Sequence, residues 1–337
     1  MNFLSDRCRP GRVLQAPVPA LMALGLSAAL LLGCGGGTSQ VVAFKPARLL
    51  VFGDESSLIV DKDNNADGYK YSINDRTAAV STTVARCQAL PNFSQTLANA
   101  YGFVFKDCNP GGVEAKAIFQ GQANATVEDP ISGLAQQRAA VSGGLSKTDM
   151  ALVMIGMNDM IALWQRVRDG ALTDAAAKTE AQRLGAAAAA QVNAVLATGA
   201  RALVVTIPDM GLSPYAVAQN LVKPGAVALL SAMSYDFNAY LRTRIDSSAY
   251  DGRNYGLVLA DDITSAMDKL PASYLNSPAV AKVAACTMAS ALDCLTTTLI
   301  TDASSHSHLW ADDRHLGPNA HTQIGTSVQA RALNNPF

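Results

Sequence analysis

Four short aliphatic runs constrain the architecture most: Arg48 to Phe52 (RLLVF), Met150 to Ile155 (MALVMI), Ala202 to Ile207 (ALVVTI) and Gly256 to Ala260 (GLVLA). None alternates polar with apolar residues, so each reads as a strand buried on both faces. Helical stretches are expected between and around them. Pro91 to Tyr101 has helical spacing and stops at Gly102, Ile131 to Leu145 reads as a second helix, and Leu172 to Thr198 is Ala-rich with Gly199 behind it. Ala226 to Ile245 and a segment after Pro318 complete the set. Strands that alternate with helices need crossover connections, and crossovers make neighbouring strands parallel. The expectation is therefore α/β: a parallel sheet covered on both faces, with ligands bound beyond the carboxyl ends of its strands.

The N-terminus sets the compartment. Arg7, Arg9 and Arg12 precede the apolar stretch Pro17 to Leu32, which is short for a spanning helix. Leu31-Leu32-Gly33-Cys34 resembles the bacterial lipoprotein signal. That resemblance implies a signal peptide over residues 1–33, lipidation of Cys34, a flexible tether over 34–46 and one domain over 47–337. Diacylation supplies the two chains that stable attachment to a membrane requires. The implied location is extracytoplasmic, in the cell envelope and at the outer membrane. Cys87, Cys108, Cys286 and Cys294 then sit in an oxidising compartment. Three pairings are open, and proximity favours Cys87 with Cys108 and Cys286 with Cys294. The formal net charge is −1 and no Lys/Arg run follows Arg12, so nothing marks a nucleic-acid partner.

Three pieces far apart in sequence would meet at one end of the sheet: Gly53-Asp54-Glu55-Ser56-Ser57, Gly156-Met157-Asn158-Asp159 and Asp312-Asp313-Arg314-His315. A side-chain amide such as that of Asn158 can donate to a developing oxyanion. An acid three residues before a histidine can fix the imidazole's orientation and tautomer.

These pieces, in this order, resemble the SGNH (GDSL-type) esterase/lipase family. GMND is similar to its Gly-x-Asn-Asp block, and Trp310 to Gly325 (WADDRHLGPNAHTQIG) to its Asp-x-x-His block. Phe237-Asn238 and Ile207 to Gly211 resemble further family segments. The resemblance implies a doubly wound three-layer α/β/α sandwich and hydrolysis of esters of lipids, sugars or small acids without a metal or organic cofactor. It makes His315 the general base, Asp312 its orienting acid and Asn158 an oxyanion donor. A glycine amide should add a second donor, and Gly111 and Gly112 are the candidates, Gly112 being preferred.

The first block departs from the family, which places its nucleophilic serine directly after Gly-Asp; here Glu55 stands there. A one-residue bulge after Gly53 would carry Ser56 into the nucleophile's position. Without it, one residue of shift rotates a side chain by about 100° and aims Ser56 away from His315. Glu55 attacking an ester would form an anhydride, an unusual course for acyl transfer. The expected activity is a serine ester hydrolase acting through Ser56. The alternative is a fold kept as a binding module for lipid or glycan, with Glu55 replacing the nucleophile. Asp63, Asn65, Asp67 and Gly68 mimic the start of a calcium loop but read as turn residues. His306 and His308 are expected in an exposed loop, and His321, Trp164 and Trp310 as packing.

Overall fold

The computed structural model describes residues 43–77, 85–250 and 254–334. The expected signal, Cys34 and the tether up to residue 42 lie outside the described residues.

The strands are β1 (Arg48–Gly53), β2 (Ile59–Val60), β3 (Tyr69–Lys70), β4 (Ala117–Phe119), β5 (Asp149–Met154), β6 (Arg201–Val205), β7 (Tyr255–Val258), β8 (Val280–Ala284) and β9 (His308–Trp310). The main sheet runs β4-β1-β5-β6-β7 and is parallel throughout. β1 registers Leu49 against Ala117 on one side and Met150 on the other, so it is an interior strand. Chain order grows outward in both directions from β1. The switch in winding therefore lies beside it, where such sheets open a crevice.

Side-chain alternation sorts the sheet into two faces. Leu50, Phe52, Ala151, Val153, Ala202 and Val204 join one core, and Leu49, Val51, Met150, Leu152, Leu203 and Val205 the other. Helices cover both. The first face carries α2 (Leu134–Ala139), α3 (Met157–Arg168), α4 (Asp174–Leu196), α5 (Pro214–Val222) and α6 (Ala226–Arg244). The second carries α1 (Phe93–Ala100), α7 (Ala260–Lys269) and α8 (Pro318–Asn334). This is the doubly wound α/β/α sandwich. α1 is held by a capping box, Asn92 accepting from the Gln95 N–H at 2.9 Å and Gln95 accepting from the Asn92 N–H at 3.1 Å.

Several expectations are corrected. Between the helix that stops at Gly102 and the one expected from Ile131 lies β4, whose three residues are too few for a periodic signal. The helix expected over 131–145 shrinks to α2, ending before Gly143 and Gly144, both at positive φ. α3 begins directly on the GMND block, where only the end of a strand was expected. His308 lies buried in β9 rather than in an exposed loop. The Asn238 amide clamps Ile207, accepting from its N–H at 3.1 Å and donating to its carbonyl at 2.9 Å, which gives that segment a structural role.

The calcium-like stretch closes on itself, as turn residues do. Asp61 accepts from the N–H groups of Asn65 and Ala66, and Asp67 pairs with Arg76 at 3.0 Å.

Both cysteine pairs favoured by proximity are joined. Cys87–Cys108 spans 21 residues, and a closed loop of that length stabilises by about 3 kcal/mol on the chain-entropy estimate. The double variant Cys87→Ala/Cys108→Ala should lose about that much in urea unfolding. An unchanged midpoint would show that the crosslink constrains nothing in the unfolded chain.

Candidate active site

The site is assembled at the carboxyl ends of β4, β1 and β5. β1 ends on Gly53 with φ +134°, where a Cβ would lie 1.7 Å from the Met154 carbonyl oxygen. Only glycine lets the chain turn so close to β5. Asp54 then caps a single turn of 3-10 helix, Glu55–Ser57, its Oδ1 accepting from the Ser56 N–H at 3.0 Å. Asp54 is fully buried, and burial together with the charge of Glu55 raises its carboxyl to about 7.

That turn fixes the phase of the next side chains. The Glu55 carboxylate points to the crevice. Its Oε2 accepts from the Asn124 backbone N–H at 2.7 Å and from Asn158 Nδ2 at 3.0 Å, and its Oε1 lies 3.3 Å from His315 Nε2. Ser56 Oγ points instead at the Met157 thioether, 3.7 Å away, a weak acceptor. Ser56, the expected nucleophile, is therefore not brought to His315; no bulge forms, and the one-residue rotation applies.

Asn124 sits in the loop leaving β4, which is pinned from three sides. The N–H groups of Gln120 and Gly121 donate to the Val51 carbonyl at 2.7 and 3.0 Å, and Gln122 N–H donates to the Gly53 carbonyl at 3.1 Å. Gly121 allows this approach, since a Cβ there would stand 2.9 Å from the Gly53 oxygen. From α3, Asp159 accepts from the Val127 N–H at 3.1 Å and Asn158 donates to the Ala125 carbonyl at 3.2 Å. Gly112 is elsewhere, in a turn where its N–H donates to the Asn109 carbonyl at 3.1 Å. The backbone donor that converges on the site is Asn124, missed because an amide has no side-chain signature; the nearest signal was a glycine just past a strand.

His315 and Asp312 meet as the Asp-x-x-His spacing implied. His315 Nδ1 lies 2.7 Å from Asp312 Oδ2, while Oδ1 accepts from the backbone N–H groups of Arg314 at 2.9 Å and His315 at 2.7 Å. Burial pushes the Asp312 carboxyl up, but His315 and those amides hold it below its ordinary range. Burial likewise pushes the imidazole down, yet hydrogen bonds and charge from Asp312 and Glu55 outweigh this and raise it to about 9. For Glu55, burial opposes ionisation, and His315 and Asn158 overcome it, keeping the carboxyl below its ordinary value. At neutral pH the group is a carboxylate–imidazolium–carboxylate row.

A cleft of about 680 Å³ opens over this row, walled by Tyr71, Asn124, Arg314 and the segment 284–291. The Cys286–Cys294 disulfide closes that wall segment, and the Tyr71 ring lies 5.4 Å from the imidazole. Neither wall was anticipated from sequence. His306 and His321 stay outside the row; His306 Nδ1 contacts Asn319 Oδ1 at 2.6 Å and His321 stacks on Phe93. Trp164 and Trp310 are fully buried packing residues.

The profile of the family described as GDSL-like Lipase/Acylhydrolase matches residues 49–328. The chain belongs to that family. Among solved structures it is similar to phospholipase A1 from Streptomyces albidoflavus NA297, at 11% identity over 84% of this chain and 98% of that one, with a TM-score of 0.42. It is also similar to a catalytic mutant of the acetylxylan esterase Axe2 from Geobacillus stearothermophilus, at 10% identity over 86% and 95%, with a TM-score of 0.43. No curated protein matches. Within this GDSL-like family member, Glu55 holds the place that Gly-Asp would otherwise hand to a serine.

The row makes a titration prediction. In NMR, His315 should titrate near 9 and move lower in Glu55→Gln, which removes one of its two carboxylate partners. Because the folded value lies above the ordinary 6.5 of histidine, its stabilisation is complete below about pH 6.5 and is lost as pH rises through about 9. Lys70 runs the other way, burial lowering it to about 7, so its contribution to stability grows as pH rises toward 10.5. Comparing wild type with Glu55→Gln at each pH removes the Lys70 contribution. An imidazole value unmoved by the substitution would show that Glu55 does not share its proton.

Proposed function

We propose that this chain is an envelope lipoprotein of the GDSL-like family in which Glu55 closes the serine acyl-transfer route, leaving a cleft that binds an ester-bearing lipid or glycan. One observation carries the reading: both oxygens of Glu55 engage groups that an esterase offers to its serine and to its oxyanion. Asn124 N–H and Asn158 Nδ2 are the oxyanion-type donors, and His315 Nε2 is the base-type nitrogen. A serine nucleophile must lie within about 3.2 Å of that nitrogen, and Glu55 Oε1, 3.3 Å from it, fills that approach. An imidazolium moreover has no free lone pair to accept a hydroxyl proton.

The N-terminal pattern ending in Cys34 supports attachment by lipid to the outer membrane, facing away from the cytoplasm. The two disulfides fit an oxidising compartment. The cleft admits a polar ligand, Arg314 and Tyr71 among its walls.

The competing reading is the serine ester hydrolase with Ser56 as nucleophile, His315 and Asp312 as base and acid, and Asn158 as oxyanion donor. The full chain in detergent, assayed on short and long p-nitrophenyl esters, decides between them. The expected result is no Ser56-dependent turnover, with wild type and Ser56→Ala alike. Turnover lost in both Ser56→Ala and His315→Ala would overturn the proposal in favour of the hydrolase.

A further inference from the structure

Carboxylates serve as covalent nucleophiles as well as occupants of a site. We propose that Glu55 attacks the carbon of an epoxide and that the chain hydrolyses epoxides to diols through an alkyl ester of Glu55. This rests on the reading above that His315 serves Glu55 rather than Ser56.

The geometry divides the carboxylate's two oxygens. Oε2 is fixed by Asn124 and Asn158, while Oε1 lies beside the imidazole at the floor of the cleft. Attack by Oε1 on an sp³ carbon gives an ordinary ester, so the anhydride that makes Glu55 unsuited to acyl transfer never forms. In this step the Oε1–C bond forms and the ring C–O bond breaks. The ring oxygen takes the proton on His315 Nε2, leaving a hydroxyalkyl ester and a neutral imidazole. An epoxide suits this arrangement because ring strain drives the displacement and its leaving oxygen stays on the adjacent carbon, so nothing departs the cleft in this step.

The family's esterase parts then find their substrate in Glu55 itself. The carbonyl oxygen of the new ester is Oε2, already held by two donors of the kind that stabilise an oxyanion. Neutral His315, oriented by Asp312 at 2.7 Å, takes a proton from water as the hydroxide adds to Glu55 Cδ. Collapse breaks the Cδ–O bond to the alkyl group, and the departing alkoxide takes the proton from His315. The hydroxyl proton of the new carboxyl passes to the imidazole, restoring carboxylate and imidazolium and releasing the diol. Water is the only co-reactant.

The test incubates the full chain, His315→Gln and Glu55→Gln with styrene oxide. Wild type should yield the diol. His315→Gln, which loses both the acid that protonates the ring oxygen and the base that activates water, and Glu55→Gln, which loses the nucleophile, should each yield no diol above the buffer blank. In a single turnover in heavy-oxygen water, label should enter the Glu55 carboxylate before it enters the diol; this needs only wild type and decides the matter if His315→Gln does not fold. Absence of diol above the buffer blank, or a label that goes straight to the diol, overturns the inference. If either is found while ester hydrolysis shows no dependence on Ser56, this inference alone falls; if wild-type ester hydrolysis requires Ser56, both readings fall.

Discussion

Glu55→Ser should raise hydrolysis of p-nitrophenyl acetate by at least about a thousandfold over wild type, the scale on which a nucleophile completes an otherwise intact serine-hydrolase site. The substitution acts at three places together. It places a hydroxyl on the turn that now aims a carboxylate at His315. It frees Asn124 N–H and Asn158 Nδ2, both now bonded to Glu55 Oε2, for a substrate carbonyl. It also removes one of the two carboxylates that hold His315 at about 9, returning the imidazole toward neutrality, where it can act as a base. In that background Ser56→Ala should change little, because Ser56 faces Met157. A folded Glu55→Ser protein with no gain would mean that the carboxylate is not what blocks acyl transfer.

The second large effect concerns the turn that aims Glu55. Gly53→Ala should cost at least about 4 kcal/mol, in the range that marks a backbone clash rather than ordinary surface change. An added Cβ would sit 1.7 Å from the Met154 carbonyl oxygen, and φ is +134°, so neither rotation nor a flexible neighbour relieves the overlap. Gly112→Ala is the control: its φ is +62° and nothing lies within 4 Å of an added Cβ. That change should cost about 1 kcal/mol from left-handed backbone strain alone. Equal urea midpoints for the two variants would show that the approach of β1 to β5 at Gly53 is loose.

What the sequence reveals follows from how each feature is encoded. Four strands of the main sheet were legible because burial on both faces demands unbroken aliphatic runs. β4 was not, since its role depends on pairing with β1 rather than on its own three residues. The Asp312–His315 pair was legible because its spacing is local, and Asn158 because the GMND block follows directly on an aliphatic run that reads as a strand. The Asn124 donor was not, since any residue supplies a backbone N–H and only the pinned loop aims it. The choice between Glu55 and Ser56 turned on the phase of one 3-10 turn. That phase is set by the Asp54 cap and by Met157, which lies 101 residues from Ser56.

The span of 260 residues between Glu55 and His315 also bears on how the molecule is made. The acid enters the chain 260 residues before its counter-ion, so a chain that has not yet supplied His315 leaves the carboxylate to water. β1 waits in the same way for β5, which begins at Asp149. A nascent chain cannot seal this centre early. A chain stopped short of Trp310 would confront an unpaired charge in a low-dielectric interior, a penalty of about 3–5 kcal/mol that favours staying open. The centre can therefore close only once the block carrying Asp312 and His315 has joined the rest of the fold.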